Sequence, residues 1–400
     1  MNCTKVNNMI KYSKEMRNNM KAVGVIAEYN PCHNGHLYQI NIIKEKYPNY
    51  AIIVVMTGNF TERGDVAIID KWKRTEIALK NGIDLVIELP FPFATQSADF
   101  FAYGAITILE YLKVEKVIFG SENDNIEDLT TIAQAQLNNK EFDQLVKIYL
   151  KMGNNYPTAL SYALADLTGK KITTPNDLLG ISYIKTILQK KYKIIPETIQ
   201  RENNYHSKKL QSHIASASAI RDALKKKQNI KNQIPNNALK YMNDLHFLDD
   251  YYPLLKYKIL TEEDLSKYQN MEEGIDKKIK KEILNSNSIE ELIKNIKSKR
   301  YTYNKIQRIL LHILCNFTKE RSTQFQKITY LRILGLNKKG SMYLNQYKKE
   351  IQIPIISKIT REKDPMLEFE LQTTQIYEIN NPKESIKKEC QKIIFEGEEL

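Results

Sequence analysis

Along the first third of the chain, short apolar runs alternate with longer segments whose apolar positions recur every three or four residues. The runs are 22–27 (AVGVIA), 51–56 (AIIVVM), 83–88 (IDLVIE) and 116–119 (KVIF), and none alternates apolar with polar positions. Runs of this kind are strands buried on both faces, as in the middle of a parallel sheet. Helical spacing fills the intervals at about 37–46, 71–80 and 97–112. Strand, helix and strand in repetition predict an α/β fold, a Rossmann-like parallel sheet with right-handed crossovers. Ligands in such sheets lie beyond the carboxyl ends of the strands. Residues 123–170 read as mostly helical, and TTPND (173–177) starts a helix that runs to about 190. KIIPETIQ (193–200) is a further strand, placed at an edge by Pro196.

Beyond about residue 230 glycine becomes scarce, Lys and Asn dominate, and helical patterns take over. QNIKNQIPNN (228–237) reads as a linker, so we divide the chain into an extension (1–20), an α/β domain (21–230) and a mainly helical basic region (231–400). Within that region, 294–314 joins a basic cluster to an apolar helix. Lys299, Arg300, Tyr301, Tyr303, Lys305 and Arg308 offer charges to a phosphate backbone and rings to an unpaired base, although the same pattern also describes a solvated helix face. KKGSM (338–342) has the wrong order and spacing for the KMSKS loop of class I tRNA synthetases. EFELQTTQIYEI (368–379) reads as a possible strand.

Composition adds bounds. A length of 400 residues suggests two or three domains, and 42% hydrophobic content is ordinary. No stretch approaches the ~20 apolar residues of a membrane helix, so no membrane partner is expected. A formal charge of +13 and a pI near 9.2 favour a polyanionic partner. Cys3, Cys32, Cys315 and Cys390 are scattered without a CxxC pair or metal-ligand spacing, which predicts a reducing, cytoplasmic setting and no metal site. Residues 1–20 carry Lys and Arg throughout without an apolar core. They are expected to be a disordered or weakly helical extension rather than a secretory signal, with Met20 resembling a natural start.

The chemistry concentrates in residues 21–40, KAVGVIAEYNPCHNGHLYQI, a buried strand that runs through a turn into a helix. His33 and His36 fall on one face of the first helical turn. Free backbone N–H groups and the helix dipole favour an anion there, and Gly35 lets a phosphate approach the backbone. Two imidazoles in that position suit nucleotidyl transfer, in which donors stabilise a phosphate that becomes five-coordinate. A histidine pair at a helix start also serves as a cap. From the residues alone, the reaction is attack of some nucleophile on an α-phosphate with pyrophosphate leaving.

The HNGH segment resembles the (H/T)xGH motif of the nucleotidyltransferase superfamily, and GVIAEYNPCHNGHLYQ is similar to the form found in the bacterial tRNA(Met) cytidine acetate ligases. Cys32 stands where that family more often has Phe. IASASAIR (214–221) resembles the superfamily's ISxSxIR motif, while FGSE (119–122), TPNDLLG (174–180) and KRYTYNKIQRILLHIL (299–314) resemble ligase-family segments.

The resemblance implies an ATP-dependent ligase. Such an enzyme activates acetate as acetyl-adenylate, acetylates N4 of the wobble cytidine (C34) of elongator tRNA(Met) to N4-acetylcytidine, and releases AMP and pyrophosphate. It implies ATP as substrate with Mg²⁺ accompanying it, and His33 and His36 as catalytic. ATP contacts are implied for Ile26, Ala27, Glu28, Tyr29, Asn30, Pro31, Cys32, His33, Asn34, Gly35, His36, Leu37, Tyr38 and Gln39, and for Gly120, Asn176 and Arg201. Ser216, Ser218 and Arg221 would hold pyrophosphate. Read as plain residues, Gly120 is also a turn glycine, Asn176 a helix cap, Arg201 a loop cation and Ser216 a cap. The alternatives are a small-molecule adenylyltransferase of the phosphopantetheine or nicotinamide mononucleotide type, or an RNA-binding protein without catalysis.

Overall fold

The structure, a computed structural model, describes residues 20–138, 140–170, 174–201, 213–298, 301–360, 364–380, 382–391 and 393–397. Lys299, Arg300 and almost all of the N-terminal extension lie outside the described residues.

The apolar runs form the strands β1 (Ala22–Ala27), β2 (Ala51–Thr57), β3 (Leu85–Leu89), β4 (Lys116–Ser121) and β5 (Ile195–Gln200). All five are parallel, in the order β5-β4-β1-β2-β3, which puts β5 and its Pro196 at an edge. β2 shows why its sequence lacks alternation. Ile52, Val54 and Met56 pack with Ile40, Ile43 and Ile77 from the helices Asn34–Lys46 and Lys71–Lys80. Ile53 and Val55 turn to the opposite face and join Phe101, Ile106 and Leu109 of helix Ala98–Tyr111 and Ile181 and Ile184 of helix Pro175–Lys190. Every position therefore meets a helix layer, and apolar side chains are favoured on both faces.

The region after residue 230 is mainly helical, but it also completes this sheet. β6 (Leu331–Asn337) pairs antiparallel with β3, and β7 (Ile355–Ile356) and β8 (Ile394–Glu396) each pair parallel with β6. The stretch read as a linker is packed: Ile230 and Ile234 are buried, and the Gln233 carbonyl accepts from Asn34 N at 3.0 Å. EFELQTTQIYEI belongs to helix Pro365–Tyr377, not to a strand. Asp364 caps that helix through Met366 N and Leu367 N, and Met366, Leu367, Phe369, Glu370, Thr373, Thr374 and Tyr377 form its buried face, so the 3.6-residue period overrides the β-formers in the run.

A buried charge network ties this C-terminal segment to the sheet. Lys71 Nζ reaches Glu88 Oε1 at 2.7 Å and Glu389 Oε1 at 2.8 Å, and Arg332 reaches Glu389 Oε2 at 3.4 Å, all with side chains at most 1% exposed. Burial, and after it Glu88, pushes the nearby Glu370 carboxyl well above its usual range.

Candidate active site

The carboxyl ends of β1 and β2 are held open by one buried cation. Arg74 donates to the carbonyls of Glu28 (2.6 Å), Thr57 (3.1 Å), Ile69 (3.1 Å) and Gly58, and so fixes the turns that leave both strands. Past β1, Asn30 Oδ1 accepts from Ile68 N at 2.9 Å, and Tyr29 is buried with its ring edge-on to His36, centroids 4.8 Å apart.

Helix Asn34–Lys46 begins on His33, which is extended at φ −137° and acts as the cap. His33 Nδ1 accepts from Gly35 N at 3.1 Å, and His36 Nδ1 accepts from His33 N at 3.1 Å, a reciprocal capping box built from two imidazoles. The rings stack with centroids 3.8 Å apart. Capping and chemistry are thus one arrangement. A nitrogen that accepts a backbone N–H carries no proton, so each neutral ring keeps its proton on Nε2. Neither Nε2 has a hydrogen-bond partner among the described residues. Burial, together with the charges of Arg201 and Arg221, lowers the His33 pKa to about 3. Burial, then His33 and Arg201, hold His36 well below its ordinary value. The site therefore offers two uncharged N–H donors of fixed tautomer flanked by two guanidinium groups.

Asn34 points away from this face. Its Nδ2 donates to the carbonyls of His213 and Asn232, each at 2.9 Å, and so clamps the helix start to the segments on either side of the serine-arginine motif. Gly35 is crowded: a Cβ there would lie 2.9 Å from His33 Cε1 and 3.3 Å from Ile214 Cγ2. Gln39 reaches across to the Ile118 carbonyl at 3.2 Å, while Leu37 and Tyr38 pack on the apolar core and act as support. Ile26 and Ala27 end β1 in register with Val55 and Met56. Burial pushes the Cys32 thiol up to about 12, so it is an inert core residue.

The second motif meets the first directly. Arg221 Nη1 donates to the Asn30 carbonyl at 2.7 Å, and Nη2 lies 3.4 Å from Ser218 Oγ. Ser216 caps helix Ala217–Lys225 through Ala219 N at 3.2 Å, with its hydroxyl proton left to donate. Ser218, in the first turn, is exposed.

The third cluster stands at the ends of β4 and β5. Asn176 Nδ2 donates to Glu122 Oε1, which lies 3.8 Å from Arg201 Nε. Glu122 Oε2 and Arg201 Nε are buried with no hydrogen-bond partner among the described residues. A Cβ on Gly120 would come within 3.1 Å of Arg201 Cγ, so the glycine lets the arginine lie flat across the strand end. Asp177, fully buried, accepts from Glu122 N (3.2 Å), Asn123 Nδ2 (2.7 Å), Ser121 Oγ and Thr174 Oγ1. It fastens the FGSE turn to helix Pro175–Lys190. Sequence reasoning missed the parts played by Glu122, Asp177 and Arg74. An acid in the first turn after TP was a signal for Asp177; Arg74 looked like any surface cation on a helix.

Of the residues read as RNA contacts, Tyr301 packs on the core, Lys305 pairs with Glu272, and Arg308 pairs with Glu62 at 2.7 Å. Tyr303 is 37% exposed. Among the described residues no group of three or more His, Cys, Asp or Glu is arranged to hold a metal ion, and no helix is long and apolar enough to cross a membrane.

The family model for the HIGH nucleotidyl transferases matches residues 20–392. A tRNA(Met) cytidine acetate ligase of Geobacillus sp. (strain WCH70) is 40% identical over 378 residues, which cover 90% of this chain and 94% of that one. The enzyme of the same name from Clostridium novyi (strain NT) is 41% identical, over 90% of this chain and 96% of its own. The chain belongs to the tRNA(Met) cytidine acetate ligase family. The solved structure of Thermotoga maritima TmcAL in its apo form superposes with a TM-score of 0.86 at 29% identity, covering 94% of this chain and 99% of that one. The same protein bound with alpha-thio ATP superposes at 0.84 with 28% identity, over 94% and 100% of the two chains.

Proposed function

We propose that this chain activates acetate with ATP and transfers the acetyl group to N4 of the wobble cytidine of elongator tRNA(Met). In the first step an acetate oxygen attacks the α-phosphorus; the bond to the bridging oxygen breaks, giving acetyl-adenylate and pyrophosphate. In the second the cytidine N4 amine attacks the acetyl carbonyl, AMP leaves, and one amine proton is lost.

The observation that carries this reading is the pair of uncharged Nε2–H donors on His33 and His36 between Arg201 and Arg221. Neutral donors held by the backbone need no reorganisation as negative charge grows on the α-phosphate, and each such donor is worth about 10²- to 10³-fold in rate. Ser216, Ser218 and Arg221, at the start of a second helix, hold the departing pyrophosphate. Gly120, Asn176 and Arg201 hold the nucleoside end of ATP. Mg²⁺ accompanying ATP would offset part of the charge on its phosphates. The basic residues of 231–400 supply the surface for tRNA, and the activity belongs to the cytoplasm.

The test is incubation of the protein with ATP, acetate and tRNA, followed by mass spectrometry of the nucleosides. N4-acetylcytidine together with acetate-dependent exchange of pyrophosphate into ATP is the expected result. Transfer of AMP to a small acceptor, with unmodified tRNA, sinks the proposal.

A further inference from the structure

A second site stands beside the catalytic rim. A cleft of about 590 Å³ opens between the turn before helix Tyr156–Thr168 and the turn before helix Tyr303–Leu314; Asn155, Lys294, Lys297, Ser298, Thr302 and Tyr303 line it. Among the described residues its lining has two ammonium groups, an aromatic ring and three neutral polar side chains; the carboxylates of Glu290, Asp65 and Asp249 stand behind the wall, near enough for their charge to act on Tyr303. Among the described residues Lys294 pairs with Glu290, at 2.8 Å, through side chains that are 67% and 60% exposed. A pair so exposed is worth little and exchanges readily for a phosphate. Asn155 and Thr302 use their side-chain oxygens as helix caps, accepting from Thr158 N and Lys305 N, which leaves the amide NH₂ and the hydroxyl proton to donate. Every polar group on the wall is therefore able to donate to an anion, and Tyr303 adds a ring at 37% exposure on which a base can stack.

The cleft is joined to the catalytic edge by the helix that Tyr303 begins. Arg308, about one and a half turns along, pairs with Glu62, whose amide donates to Glu28 Oε1 at 2.8 Å, directly past the end of β1. Asp65, on the same loop as Glu62, is near enough to both Tyr303 and Arg221 for its charge to act on each. A strand of RNA whose reacting base lies over His33 and His36 thus has an adjacent cleft suited to the next unpaired nucleotides.

We propose that this cleft binds unpaired RNA flanking the target base, with Lys294 and Lys297 on phosphates and Tyr303 stacked on a base. The inference rests on the ligase reading above. It shifts the expected RNA contacts to the residues of the cleft, away from Lys305, which pairs with Glu272 inside the helical region, and Arg308, which holds the helix to the α/β domain through Glu62.

The test is direct binding of a fluorescent RNA hairpin carrying the methionine anticodon loop to the full chain, measured across a range of salt. Replacing Lys294 and Lys297 with Ala should make the slope of log affinity against log salt less steep by about 1.4, since each phosphate contact on a single strand contributes about 0.7. The charge-matched variant K348A/K349A, at two exposed lysines past helix Lys338–Tyr347, should change the slope by less. Y303A should weaken binding at least about five-fold and Y303F should not, because stacking needs the ring rather than the hydroxyl. Thermal melting of each variant shows that it is folded. Equal slopes for the two lysine pairs, or a blunt RNA duplex bound as tightly as the hairpin, overturns the proposal. Acetate-dependent exchange of pyrophosphate into ATP by the unaltered protein needs no RNA, so its absence sinks the ligase reading separately.

Discussion

Gly35→Ala is the most informative single change at the turn proposed to be catalytic. The new methyl carbon would lie 2.9 Å from His33 Cε1, 3.0 Å from Nδ1 and 3.3 Å from Ile214 Cγ2. Non-bonded carbons settle at about 3.5 to 4.0 Å, so the imidazole must retreat by roughly half an ångström or more. Retreat lengthens the 3.1 Å bond from Gly35 N to His33 Nδ1. Loss of that cap costs about 1 kcal/mol of stability. Displacement of the Nε2–H from the phosphate costs far more in rate, about 10²- to 10³-fold for one donor. Exchange of pyrophosphate into ATP should therefore fall by that factor while the melting temperature drops by only a few degrees. The cycle with His33→Ala decides the cause. If Gly35→Ala acts through the ring, it should change the rate little once the ring is gone, giving strong non-additivity. A further hundred-fold loss in the double variant would show that the glycine serves the phosphate directly and would refute the reasoning.

Three further outcomes are expected. Asp177→Asn keeps the size but loses the charge that four donors share in full burial; it should cost about 2 to 4 kcal/mol in denaturant unfolding and raise the KM for ATP more than it lowers kcat. Lys71→Met leaves Glu88 buried without its cation and Glu389 with Arg332 alone, so unfolding should become easier by about 3 to 5 kcal/mol, and E88Q added to it should recover part of the loss. Because His33 titrates near 3 and His36 is also depressed, the unfolded chain binds protons that the folded one does not below about pH 6.5. Stability should therefore decline as pH falls from there toward 3, whereas the exchange rate in the folded protein should show no histidine limb near 6.5; an acid limb there that disappears in His36→Gln would contradict the assigned neutral state.

Much of the molecule is written locally. Unbroken apolar runs such as AIIVVM specify strands covered on both faces because each successive side chain must face a helix layer. Pro196 specified an edge, and β5 is one. HNGH specified two imidazoles at a helix start, since that spacing and the turn before it are properties of a few consecutive residues. What local pattern leaves open is which distant segments meet. Arg74, Asp177 and Glu122 owe their roles to partners at strand ends that chain position alone does not reveal. The last region looked like a separate helical unit, yet β6 closes the sheet against β3, because an antiparallel edge is satisfied by backbone groups that any sequence carries. The amino-acid order thus determined the five parallel strands and the turn that carries the two imidazoles. Tertiary packing alone decided which arginines flank the histidines, which carboxyl in the core is pushed above its usual range, and which lysines stay at the surface, because charges are set by neighbours in space.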